Sequence, residues 1–196
     1  CSCNGTLDSE GTSIVSEWNL VCESAWVSDF ITSLQMLGMV FGCIATGKFS
    51  DWYGRRNSFL ATVLIMGMGS AVSAVATDPY LYGFCRFLCG AGLSGYLGLT
   101  SVYTMEFQTP RWRPLCGAVG PWGEGIMILA ALAYFIPSWR LLTMATSLPF
   151  ILIIGIYPLL PESPRWLLRN QKIKEAHKVI NRMAKMNGKE PLSMEF

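Results

Sequence analysis

Charge is scarce in this sequence, and histidine scarcer. Asp, Glu, Lys and Arg make up 14% of the 196 residues, about half of what a soluble globular domain carries. His177 is the one histidine, and Cys1-Ser2-Cys3 is too tight a pair to share a zinc ion. Without a histidine cluster, or a nucleophile matched to a base, an enzyme, a metal site and a bound cofactor all lack the residues they need. No nucleic-acid partner is expected. A secretory leader pattern is missing as well: the chain opens on Cys1 and closes on Glu195 and Phe196 soon after a charged stretch, so both ends read as cut.

Apolar length is what the sequence has in quantity. Mean hydropathy is +0.37, with nineteen glycines. Five stretches, 30–47, 58–77, 80–105, 115–136 and 141–160, are nearly free of charge. At about 1.5 Å per residue a helix over each crosses a hydrocarbon core of about 30 Å. The expected fold class is therefore an all-α membrane protein with five transmembrane helices. It divides into a segment 1–27, a bundle 28–160 and a polar tail 161–196.

Short connections force neighbouring spans antiparallel, so the loops alternate between two sides. One side collects Lys48, Arg55, Arg56, Arg111, Arg113 and all the bases of the tail; the other has Arg140 alone, and Arg86 lies within a span. The asymmetry predicts the tail in the cytoplasm and the first segment outside, in a multi-pass protein of the plasma membrane. The residues ahead of the first span at 30 include Asp8, Glu10, Glu17, Glu23 and Asp29 with no Lys or Arg. Among them Asn4-Gly5-Thr6 is a sequon, making Asn4 a glycosylation candidate. Of the seven cysteines only Cys1, Cys3 and Cys22 sit where a disulfide forms readily, and their odd number requires an upstream partner or one free thiol.

Small residues mark the helix contacts. Gly38 and Gly42 form a GxxxG pair in the first span, and Gly90, Gly92, Ser94, Gly95 and Gly98 repeat the theme in the third. Plain packing accounts for most of them. In the tail, Ile173, Ala176, Val179, Ile180 and Met183 recur at helical spacing until Gly188 and Pro191. That periodicity fits an amphipathic helix lying on the membrane or docked under the bundle.

The loop after the first span reads Gly47-Lys48-Phe49-Ser50-Asp51-Trp52-Tyr53-Gly54-Arg55-Arg56. Physically, Gly47 lets helix ends approach, Asp51 pairs with a cation or caps a helix, and Arg55 and Arg56 hold the loop at a polar face. The run resembles the G-x-x-x-D-x-x-G-R-R/K signature of the major facilitator superfamily, with Trp52 where Arg or Lys is usual. Arg86-Phe87-Leu88-Cys89-Gly90-Ala91-Gly92 is similar to that superfamily's R-F-x-x-G-x-G motif, and Glu106 with Arg113 to its E-x6-R pattern. An arginine at such a depth needs a partner or a cavity, or else reaches out to the surface. Pro161-Glu162-Ser163-Pro164-Arg165-Trp166-Leu167-Leu168 is shared with sugar porters, but it stands here beside Ser13-Ile14-Val15-Ser16-Glu17-Trp18-Asn19-Leu20-Val21-Cys22. The latter resembles S-T-I-V-T-E-W-N-L-V-C of the organic cation, anion and carnitine transporters, as does Ser138-Trp139-Arg140. The resemblance runs nearly the full length. It implies spans two to six of a twelve-helix fold, an incomplete N-terminal half whose partner is the missing C-terminal half, with the lipid bilayer around it. It also implies a cytoplasmic latch in which Asp51, Glu106, Arg113, Glu162 and Arg165 share one charge network.

Glu124 belongs to no such motif. A lone charge inside a span costs on the order of 3 kcal/mol, so it faces a cavity or a polar partner. Trp122 is two residues away, and a carboxylate beside an aromatic ring suits an organic cation. Glu124 and Trp122, with Tyr96 and Tyr103 of the third span, are the candidate substrate residues. A protonated or paired Glu124 that merely holds helices together is the alternative. The implied function is transport of small organic ions, most naturally cations, by alternating access. A sugar porter of the same superfamily and a non-transporting scaffold or receptor-like relative remain the alternatives.

Overall fold

A computed structural model describes residues 12–108, 122–157 and 160–190. Asn4, Arg113, Cys1 and Cys3 lie outside them, and Trp122 and Glu124 are described in their backbone only. The described residues are helical and contain no strand. A short helix α1 (Ile14–Glu17) and a 3₁₀ turn at Cys22–Ser24 precede α2 (Trp26–Tyr53), α3 (Arg55–Ala74), α4 (Pro79–Phe107), α5 (Trp122–Phe135) and α6 (Trp139–Ile156); α7 (Pro164–Arg169) and α8 (Ile173–Met186) close the chain.

Helices α2 to α6 follow the order of the expected spans but overrun most of their boundaries, because hydropathy reads only the apolar part of a helix whose polar ends keep coiling. The first expected span, 30–47, is the middle of the 28-residue α2. Among the described residues α2 and α3 are long and apolar enough to cross a membrane, while α5 and α6 contain shorter apolar stretches, Gly125–Phe135 and Trp139–Gly155.

The packing is inside out relative to a soluble protein. On α2 the buried positions past the first turns are Gly38, Gly42 and Ser50, whereas Phe41 and Ile44 are 57% and 61% exposed. Small residues face the neighbouring helix and large apolar ones face away, as expected where the surroundings are as apolar as the side chains. A Cβ on Gly38 would collide with the Phe87 carbonyl, one on Gly42 with that of Ala91, and one on Gly90 with that of Gln35. Matching 38 to 87 and 42 to 91 runs α2 and α4 parallel. Gly92 against Met66 and Thr62, with Gly69 against Cys85 and Cys89, sets α3 antiparallel to α4. Helix α6 packs on α3, where Gly67 meets Phe150.

Gly54 is the whole connection between α2 and α3. Its φ of 96° lies in a region closed to most side chains, so one residue turns the chain back on itself. Asp78 and Pro79 start α4 in the usual way, proline occupying a first-turn position whose N–H needs no partner. Ser163 caps α7, accepting from the Trp166 amide, again with proline following.

Helix α8 packs on α7. Ala176 is fully buried with Trp166 and Leu167 of α7, and Val179 packs against them. Val179, Met183 and Met186 also border a cleft with Phe107 at the end of α4 and with Pro161. Packing on α7 beside the end of α4 is compatible with either placement open to this amphipathic helix, docked at the end of the bundle or lying at the membrane surface.

Candidate functional site

The Gly54 end of the bundle joins three of the singled-out motifs. Glu162 Oε1 accepts from the backbone amides of Arg55 (2.9 Å), Arg56 (3.1 Å) and its own neighbour Ser163 (3.0 Å). The amides of Arg55 and Arg56 open α3 and have no partner within the helix, so this carboxylate caps α3 from a point 107 residues away. Gly54 makes room for it: a Cβ there would stand 2.6 Å from Glu162 Oε2. Arg55 donates to Asp51 Oδ1 at 3.0 Å and to Ser50 Oγ, and its Nε lies 3.7 Å from Glu106 Oε1. The pair is largely shielded, with 18% of the Arg55 side chain and 13% of Glu106 exposed.

Other bonds tie α6 and α7 into the same seam. The Trp166 indole donates to the Asp51 carbonyl (3.0 Å), and the Tyr103 hydroxyl to the Pro161 carbonyl. Arg56 lies over the Tyr157 ring at 4.4 Å and donates to the Tyr157 carbonyl, while the Tyr157 hydroxyl donates to Asn57 Oδ1 at 2.7 Å. Of the residues expected to share a charge network, Asp51, Glu106 and Glu162 meet around Arg55, and Arg113 lies outside the described residues. Arg165 does not join them; it is exposed, with no ion pair among the described residues. Asp51 pairs with a cation, and the cap comes from Glu162 instead.

Gly47 is a correction. It was expected to admit a close helix approach, yet a Cβ there would meet nothing within 4 Å, because the position opens on a cavity shared with Thr46, Ser94 and Gly98. The close approaches lie higher up α2, at Gly38 and Gly42.

At the Ala74 end a second cluster forms. Arg140 binds Glu17 (2.6 Å, Nη2 to Oε1) and donates to the Ala74 and Ala76 carbonyls at 2.8 and 2.6 Å. The Trp139 indole donates to Glu17 Oε2 at 2.8 Å. The Arg140 hydrogen bonds hold the Glu17 carboxyl below its ordinary range; partial loss of water opposes this, and the Trp139 bond and the Arg140 charge add to it. Beneath lie three edge-to-face rings, Trp18, Tyr82 and Trp139, with centroids 5.5 to 5.7 Å apart. Cys22, close by in sequence, is disulfide-bonded, as its polar setting implied.

Arg86 has its partner here. Its Nε donates to the Tyr82 hydroxyl at 2.6 Å, Nη2 donates to the same oxygen, and the guanidinium lies 4.9 Å from the ring centroid. Tyr96 packs on Phe59 at 5.5 Å, and Glu124 sits in the first turn of the described part of α5. Sequence reasoning missed the Glu17–Arg140 pair. The signal was present, since Arg140 is the lone base on a side with six acids. It also missed Tyr157 and Asn57, for which no periodicity or motif gave notice.

The sugar (and other) transporter family model matches residues 5–196. Solute carrier family 22 member 2 of Rattus norvegicus is 35% identical over 201 residues, covering 100% of this chain and 36% of the relative. Organic anion transporter 3 of Sus scrofa is 35% identical over 93% of the chain and 35% of its own length; the organic cation transporter protein of Drosophila melanogaster is 36% identical over 89% and 32%. The chain thus spans about a third of the length of these relatives. The E. coli xylose transporter XylE, in complex with 6-bromo-6-deoxy-D-glucose, shares the fold with a TM-score of 0.75 at 20% identity, over 85% of this chain and 42% of that one.

Proposed function

Since the chain belongs to the sugar (and other) transporter family, and within the major facilitator superfamily to its organic cation and anion transporters, we propose that it is part of a plasma-membrane carrier of small organic ions that works by alternating access. The observation that carries this reading is likeness over 89% of the chain to a protein named as an organic cation transporter, and over 93% to one named as an organic anion transporter. The inside-out packing of α2 supports the membrane setting. In this reading α2 to α6 are five spans, the second to sixth of twelve, framed by an outer segment 1–27 and a cytoplasmic tail 161–196. The Ala74 end faces outward, with Asn4 glycosylated, and the Gly54 end faces the cytoplasm.

The seam then serves as the cytoplasmic latch. Asp51, Arg55, Arg56, Glu106 and Glu162, hinged on Gly54, hold the ends of α2, α3, α4 and α6 as one rigid piece that rocks against the missing C-terminal half. Gly47 contributes the open face on the same side, Arg113 and Arg165 contribute surface charge, and Arg86 fixes α4 to the outer cluster. Glu124 and Trp122 of α5, with Tyr96 and Tyr103 of α4, form this half's wall of the substrate site. Glu124 is the acid of an otherwise apolar helix, which favours a cationic substrate.

The test is uptake of radiolabelled tetraethylammonium, para-aminohippurate and carnitine by cells expressing the complete parent chain, wild type beside Glu124→Gln. Loss of tetraethylammonium uptake at unchanged surface level supports a cation carrier with Glu124 in its path. Uptake of the anion or carnitine alone overturns the cation assignment and keeps the family, and no uptake of any of the three points to another solute or a non-transporting relative. Half a carrier has one wall of a site, so residues 1–196 in vesicles are expected to show no uptake.

A further inference from the structure

Among the described residues the arginines of the bundle have partners, whereas those of the tail have no ion pair. Arg55 and Arg140 have carboxylate partners, and Arg56 and Arg86 lie over tyrosine rings. Lys174, Lys178, Arg182 and Lys185 of α8 are all exposed, and none has an ion-pair partner among the described residues. Their spacing of four, four and three puts all four on one stripe of the helix. The opposite face, with Ala176, Val179 and Met183, is the one that docks. A bias of basic residues toward the inner side requires only that they lie near span ends; it does not require that they align.

We propose that this stripe is an anionic-lipid docking surface, which holds α8 against the negatively charged headgroups of the inner leaflet. Part of the apolar face of α8 is packed on α7, while Ile173 and Met186 stay exposed beside the basic stripe, so charge and a narrow apolar edge are its means of membrane contact. Its depth fits: Arg182 borders the cleft with Phe107, the last residue of α4, and Pro161, just past α6. In the orientation given above this sets the Arg182 end of the stripe beside the end of α4 that leaves the membrane, where charges within about a Debye length, roughly 10 Å at 0.1 M salt, attract anionic headgroups. Lipid composition would thereby act on the seam, because α7 is bonded to it through Trp166. The proposal rests on the orientation given under Proposed function.

The experiment reconstitutes the complete parent chain in vesicles of phosphatidylcholine, with and without phosphatidylserine, and reads enrichment of fluorescent phosphatidylserine around the protein by energy transfer. The triple variant Lys174→Gln, Lys178→Gln, Lys185→Gln is compared with the equal-charge variant Arg165→Gln, Arg169→Gln, Lys189→Gln. Enrichment about a hundredfold weaker in the stripe variant, within tenfold of wild type in the other, and lost in 1 M salt is the expected result. Equal loss in both variants, or none, overturns the proposal. So does displacement by water-soluble inositol trisphosphate at micromolar concentration, which would mark a soluble phosphate site instead. Labelling of a Gln171→Cys variant with an impermeant maleimide, added from each side of oriented vesicles, separates failure of the stripe from failure of the orientation: a tail labelled from the outside breaks the latter.

Discussion

The two ends of α3 make a natural comparison. Its N-terminus receives a carboxylate, Glu162, and its C-terminus a guanidinium, Arg140, each delivered from a distant part of the chain. Both charges match the helix dipole, negative at the start and positive at the end. The settings differ. The Glu162 cap is part-buried and binds three amides through one oxygen, whereas Arg140 and Glu17 meet near the surface with 28% and 35% of their side chains exposed. An identical electrostatic device is therefore worth more where water competes less.

That difference can be broken or sharpened by mutation of the full-length parent, read as thermal unfolding in detergent. Glu162→Ala strands the opening amides of α3 in a part-buried site and is expected to have the largest effect, about 3 kcal/mol; Glu162→Gln recovers part of it through its carbonyl. Arg140→Met leaves the Ala74 and Ala76 carbonyls unpaired in residues that are almost fully buried, while water reaches Glu17, so a smaller loss of about 2 kcal/mol is expected. Equal losses from the two variants would show that burial does not separate the ends.

Acid sharpens the comparison further. The folded-state pKa of Glu17 is depressed below its ordinary 4.5. Its stabilising contribution is accordingly complete above that value and disappears as pH falls through the lowered one. The wild type should lose stability on going from about pH 5 to about pH 3 by more than Glu17→Gln does over the same interval; identical slopes would remove Glu17 from the acid response. The smallest effect is expected from Tyr157→Phe, which deletes an exposed hydroxyl bond to Asn57 and should cost under about 1 kcal/mol.

Much of this was legible beforehand because membrane sequences are written in long apolar runs and small-residue spacings, both local signals. The runs located α2, α3, α4 and α6 to within a few residues, and Gly38 and Gly42 marked the α2–α4 contact. The seam was legible as a set of motifs but not as a geometry: charges at Asp51, Glu106 and Glu162 announced a network without saying that Glu162 would bind amides rather than a side chain. Gly47 misled because a small residue permits a close approach without compelling one.

The sequence by itself determined the class of the molecule, since a backbone in an apolar surround must satisfy its own hydrogen bonds and runs of this length can do so only as helices. It marked the glycines of α2 and α4 as places of close backbone approach, and the structure supplied their pairing with one another. Only the tertiary structure decided which distant charge caps which helix end, that Tyr82 answers Arg86, and that α8 docks by its apolar face and presents its bases outward. The two caps join residues 107 and 66 apart, and no local period carries information over such distances; they exist because packed helices bring particular ends together.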